Sequence, residues 1–135
     1  MGDVDAATEK AVDAAQQSLR SAYWKGVTSP RRDNIYAPVL LACALARTDD
    51  FGYFAAADVR KPLTAIMGKP YQIPGFAKHL NDFSGSDRGP ILRKTGVKHK
   101  FRFRFANPLM QPLIIMQGLV DHRIDSRTLE QVNGS

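Results

Sequence analysis

The chain has 135 residues, 44% of them hydrophobic and 24% charged, which is enough apolar material for one buried core at an ordinary charge density. It carries 19 Lys and Arg against 13 Asp and Glu, a formal net charge of +6, and one cysteine, which excludes an internal disulfide. No apolar run reaches the roughly 18 residues that span a bilayer, and the acidic, Ala-rich start lacks the basic-then-apolar order of a signal peptide. These features lead to the expectation of a cytoplasmic chain away from membranes, since a reducing compartment suits an unpaired Cys43. Met1-Gly2-Asp3 and Asn133-Gly134-Ser135 read as cut points, as expected of a domain excised from a longer protein.

Residues 3–25 are rich in the good helix formers Ala, Gln, Glu and Leu. Val4, Ala7, Ala11, Ala15, Leu19 and Tyr23 recur every three or four positions and make one thin apolar stripe. Asp3, Asp5, Glu9 and Asp13 crowd the first half while Arg20 and Lys25 sit near the end, which suits the helix dipole. An Ala-heavy stripe buries little area, so this helix needs a partner surface. The turn-rich segment 26–34 follows. A second helix is expected over 36–47; it is apolar nearly all round, as a central core helix is. Cys43 lies in that run and reads as a small core residue rather than a nucleophile. Residues 51–54, Phe-Gly-Tyr-Phe, read as a brief strand.

A third helix is expected from Asp58 as N-cap, with Val59, Leu63, Ile66 and Met67 on one face, Pro62 in its first turn and a stop at Gly68-Lys69-Pro70. A fourth begins at Pro74 and buries Phe76, Ala77, Leu80 and Phe83, while Gly75, Lys78, His79 and Asp82 face away. A hairpin then spans 91–105. Phe101, Phe103 and Phe105 alternate with Arg102 and Arg104, giving one apolar and one cationic face, and 96–100 form its loop. Asn107-Pro108 starts a last helix over 109–117, where Pro112 is a potential kink, and from Asp121 onward the chain is polar and expected to fray.

This order predicts a mainly α fold with a small β-hairpin or three-stranded sheet. It is the order of a winged helix-turn-helix with an extra N-terminal helix. The expected divisions are a connecting helix at 1–28, a winged-helix domain at 29–120 and a flexible C-terminal tail at 121–135.

The positive charge is concentrated. Between Arg88 and Arg104 lie seven Lys and Arg and no acid, and outside that stretch 12 bases nearly cancel 13 acids. A basic hairpin on a nearly neutral body points to a polyanion such as duplex DNA. Arg93, Lys94, Lys98, His99, Lys100, Arg102 and Arg104 are the candidate phosphate contacts. Lys78, His79 and Asn81 on the fourth helix are the candidate groove contacts, with Asn81 able to pair with adenine. That helix is not itself basic, because Asp82 offsets Lys78. The phenylalanines of the hairpin read as core rather than as a base-stacking platform.

Several segments together resemble the C-terminal winged-helix region of bacterial ATP-binding proteins of the AAA class, relatives of origin-recognition ATPases. They are SPRRDNIY at 29–36, LLACALA at 40–46, GYF at 52–54, IMGKPY at 66–71, HLN at 79–81, RGPIL at 88–92 and FRFRFANPLMQP at 101–112. The resemblance implies an ATPase core N-terminal to this region, with 3–25 as the connecting helix.

The ATPase chemistry itself is not encoded here. The Gly68-Lys69 pair has Leu63 where a phosphate-binding loop needs its first glycine, and Pro70 follows it. His79, His99 and His122 are scattered without metal-ligand spacing, Asp49-Asp50 read as turn residues, and no nucleophile motif occurs. The expectation is a non-enzyme without cofactor, metal or small-molecule substrate. The competing reading is a protein–protein module, docking on its own ATPase core or on another subunit. The acidic first helix could then dock a basic surface, or be simply solvated.

Overall fold

In the computed structural model, which describes residues 2–133, the centre of the fold is α2 (Tyr36–Leu45). Its residues from Pro38 to Ala44 are all buried, so it is covered on every side as its all-round apolar sequence requires. Two helices pack against it, α3 (Ala56–Met67) and α5 (Met110–Val120). The α5 contact is close because Gly118 is buried there: a Cβ at that position would lie 2.8 Å from both δ carbons of Leu41. Gln111 of α5 donates its side-chain N–H to the Ala44 carbonyl at 2.8 Å, satisfying one of the carbonyls left open where α2 ends. Cys43 is fully buried in this layer, and burial pushes its thiol pKa up.

α3 starts two residues before the expected cap. Asp58 lies inside it and turns back to accept the Ala55 N–H at 2.8 Å. Gly68, at φ 72°, ends the helix in the left-handed conformation and donates its N–H to the Thr64 carbonyl. The helix expected from Pro74 begins later. Ile73–Gly75 forms a separate 3-10 turn, Phe76 breaks the helical geometry, and α4 runs only over Ala77–Ser84.

The hairpin consists of β1 (Leu92–Thr95) and β2 (Arg102–Phe105), antiparallel. The strand expected at 51–54 does not form. Gly52 takes φ 86°, and the Asp49 carboxylate accepts the N–H groups of Phe51 and Tyr53, both at 2.9 Å, closing a turn. Only Phe54 reaches the sheet, exchanging two 2.8 Å backbone hydrogen bonds with Phe103. The molecule is therefore mainly helical with a two-stranded antiparallel sheet and one added bridge. Phe54, Phe103 and Phe105 bring their rings together beneath it.

Pro112 causes no break. α5 begins at Met110, so the proline falls in the first turn, where its missing N–H has no partner to lose. The tail expected from Asp121 is instead ordered over much of its length. Ile124 is buried beside Gly118, and α6 (Ser126–Asn133) lies against α3 with Leu129 half-buried. Asp125 caps it, accepting the Thr128 N–H at 2.9 Å and its hydroxyl at 3.0 Å.

α1 (Gly2–Val27) outruns its expected end by two residues and has two unlike halves. Tyr23 and Val27 are buried in the body, whereas residues 6–18 are exposed throughout. Among the described residues no helix is long and apolar enough to cross a membrane.

Candidate nucleic-acid interface

The hairpin register sorts its side chains. Leu92 pairs with Phe105, Arg93 with Arg104, Lys94 with Phe103 and Thr95 with Arg102. Directly paired residues share a face. The inner face holds Leu92, Phe103 and Phe105, all buried, with Lys94 at its edge. The outer face holds Arg93, Thr95, Arg102 and Arg104, all exposed. Arg93 and Arg104 stand directly opposite each other, a like-charge pair that costs stability in the absence of an anion. The tip is a turn in which the Lys100 N–H donates to the Val97 carbonyl at 2.8 Å and His99 takes φ 72°. Gly96 is required below it, since a Cβ there would run into the Lys100 carbonyl. Lys98, His99 and Lys100 are exposed around this turn.

The seven basic residues of the stretch divide by what they touch. Arg88 is half-buried and its side chain is spent on the fold. Its Nη1 donates to the Gly26 carbonyl at 2.8 Å and the Thr28 carbonyl at 2.9 Å, and its guanidinium lies 3.6 Å above the Tyr36 ring. It fastens the end of α1 to α2, a role that no sequence pattern announces, because its partners are backbone oxygens about sixty positions away. Lys94 donates to Asn81 Oδ1 at 2.8 Å and lies 3.8 Å from the centre of the Phe101 ring. Arg104 lies 4.9 Å over Tyr53. Among the described residues the side chains of Arg93, Lys98, Lys100 and Arg102 make no hydrogen bond or salt bridge. The Asp49 carboxyl is held below its ordinary range first by the Tyr53 N–H, with Arg102 adding a smaller electrostatic pull.

α4 is different. Lys78 and Asn81 are exposed, but Asn81 is occupied by Lys94. His79, expected to face away, turns inward: its ring packs 4.7 Å from Tyr36, and its buried Nδ1 has no partner. Burial, more than any neighbouring charge, lowers its pKa. Asp82 also turns in, accepting the Tyr36 hydroxyl at 2.6 Å. Burial and that hydrogen bond raise the Tyr36 pKa. The candidate contacts thus fall into two groups. Arg93, Lys98, His99, Lys100, Arg102 and Arg104 share the outer face and tip of the hairpin, while Lys78, Asn81 and Lys94 lie on the α4 side.

Among the described residues no three His, Cys, Asp or Glu side chains converge as a cation site would require. Compared with known protein families, curated proteins and solved structures, the chain matches none.

Proposed function

We propose that this chain is a non-catalytic winged helix-turn-helix module of a larger AAA-class ATPase, and that it binds duplex DNA with little sequence preference through its hairpin. The element order supports the fold reading: α2, the Phe54 bridge, α3, α4, then the two strands, with the bridge joining β2. α4 takes the recognition-helix position and the hairpin the wing. One observation carries the DNA reading, the opposed Arg93–Arg104 pair flanked by Arg102 and the lysines of the tip. Cations held this close, with Asp49 beside Arg102 alone, are relieved by a polyanion, and charge neutralisation dominates affinity for duplex DNA. The absence of preference follows from α4, where Asn81 must leave Lys94 before it reads a base.

The test is a titration of labelled duplex across a range of salt. Four engaged phosphates give a slope of log K on log salt of about −3.6. Replacing Arg93, Lys98, Lys100 and Arg102 together by Ala should bring the slope toward zero and weaken binding by roughly 100-fold or more. Equal affinity of the two proteins would overturn the reading.

A protein-docking role is the second reading, and α5 favours it. Leu109 just before it, then Met116 and Val120, are 62%, 63% and 68% exposed and line up about one helical turn or two apart. If this face seats on the ATPase core, Met116→Glu should alter ATP turnover of the parent protein and leave DNA affinity unchanged.

A further inference from the structure

We infer that a cleft beside the hairpin holds an unpaired nucleobase, so that junctions between double- and single-stranded DNA are the preferred ligand. The inference rests on the hairpin binding DNA and names the form of DNA it takes.

The cleft, of about 420 Å³, opens where the basic face ends. β2 leads into it: Arg104 closes the outer row and lines the cleft, and Phe105 and Ala106 continue its wall. Pro108 and Gln111 line it from the segment entering α5, and Phe51 and Gly52 from the turn before Phe54. Phe51 is the most exposed large hydrophobic side chain among the described residues, at 77%. Its backbone is fixed. The Asp49 carboxylate accepts the N–H groups of Phe51 and Tyr53, the Asp49 carbonyl accepts the Gly52 N–H at 3.1 Å, and the Asp49 N–H donates to the Tyr53 carbonyl at 2.9 Å. A ring kept in water on a rigid mount loses little backbone freedom when a flat partner covers it. It is an uncovered π face beside cations, which the buried phenylalanines of the hairpin are not.

Arg104 supplies a second flat surface. Its stem passes over Gly52, with Cδ 3.7 Å from where a Cβ would stand, and its guanidinium lies 4.9 Å over the Tyr53 ring. The ring contact positions the guanidinium without spending its N–H donors, which make no hydrogen bond among the described residues. Such a plane stacks on bases, and its donors hold phosphate. Gln111 adds a polar edge. Its Nε2 is committed to the Ala44 carbonyl, which leaves the amide oxygen to accept from a base N–H. The neighbouring acids orient the strand. Asp49 is spent on the turn, and Asp50 is exposed beside Phe51 but does not line the cleft. A carboxylate at that lip disfavours phosphate, so the phosphate lies on the Arg104 side and the base against Phe51. Paired DNA cannot use this site, because stacking already covers the faces of its bases.

The test is a titration at fixed salt with a blunt duplex, a duplex ending in a short single-stranded tail, and a duplex whose tail is abasic. The blunt duplex is lengthened to carry as many phosphates as the tailed ones. A fluorescent purine analogue marks the first unpaired position. Wild type should bind the tailed duplex roughly 5- to 100-fold tighter than the other two, with the analogue quenched as it stacks. Phe51→Ala should bind all three alike, and Phe51→Trp should keep the preference. Both substitutions leave the backbone bonds of the turn in place, and thermal unfolding checks that each variant is folded. Equal affinity of wild type for blunt and tailed duplex, or a preference that survives in the abasic tail or in Phe51→Ala, would overturn the inference. So would AMP that displaces the tail as well as unlabelled tailed DNA does, since the cleft would then belong to free nucleotide. The two claims fail separately. A chain that binds only the tailed duplex sinks the duplex reading and leaves this one standing; equal binding of blunt and tailed duplex does the reverse, and binding of neither overturns both.

Discussion

α4 and the hairpin are neighbours built from the same kinds of polar side chain, yet they use them in opposite ways. On α4 the polar groups are spent on the protein: Asp82 on Tyr36, Asn81 on Lys94, His79 against an aromatic ring. On the outer face and tip of the hairpin the side chains of Arg93, Arg102, Lys98 and Lys100 have no hydrogen bond or salt bridge among the described residues. The difference teaches that polar side chains of one type are unequally available on adjoining elements. What determines availability is whether a side chain already has a partner.

The comparison breaks most severely if the hairpin loses its foundation. Phe103 is buried, stacks 6.0 Å from Phe54 and forms the bridge to it. Phe103→Ala should cost about 3–5 kcal/mol in urea unfolding, and a loss under 1 kcal/mol would mean the hairpin is not rooted in the core. Next is Arg88, whose guanidinium holds two backbone carbonyls. Arg88→Ala should destabilise by about 1.5–3 kcal/mol through its charged hydrogen bonds, while DNA affinity falls less than for Arg102→Ala. The reverse order would place Arg88 at the interface.

A smaller effect has the opposite sign. Arg93→Thr removes the repulsion across from Arg104 and should raise stability by about 0.2–1 kcal/mol while weakening duplex binding. Thermal unfolding and a titration on the same sample would show whether the two properties trade against each other. The smallest effect is on α4. The His79 pKa lies below its ordinary 6.5, so the unfolded chain binds the proton more readily. Its contribution is therefore whole above pH 6.5 and is lost as pH falls through the depressed value in the folded state. Asp49 and Asp125, also depressed, act only below their ordinary 3.8. His79→Gln should flatten the stability profile in the first window alone; an unchanged profile would show that the imidazole is not shielded as described.

Much of this architecture was legible in the chain. Long periodicities did best: α2 declares its burial by being apolar on all sides, and the Phe–Arg alternation of β2 gives the inner and outer faces without a structure. Short elements did worst. Residues 51–54 have strand composition, but a glycine at positive φ and a carboxylate that collects two backbone N–H groups outweigh propensity over four residues. α6 was missed because its polar face dominates, although the Asp125–Thr128 spacing followed by Leu129 is a helix-start signal. The charge count located the basic segment but could not divide it. Arg88 and Arg93 look alike in sequence, and only the fold shows that one grips backbone carbonyls and the other faces its own kind across a ladder.

One buried atom gives the molecule a built-in sensor. The Cys43 sulfur is the sole thiol among 135 residues and sits in the most enclosed helix. Its desolvation suppresses the thiolate, the form that reacts with disulfide reagents. Native molecules should therefore stay dark to such reagents, and each labelling event should count one excursion in which α2 loses its cover. The labelling rate becomes a clock on breathing of the core. Run with and without duplex, it reports whether events at the hairpin surface are felt at the centre.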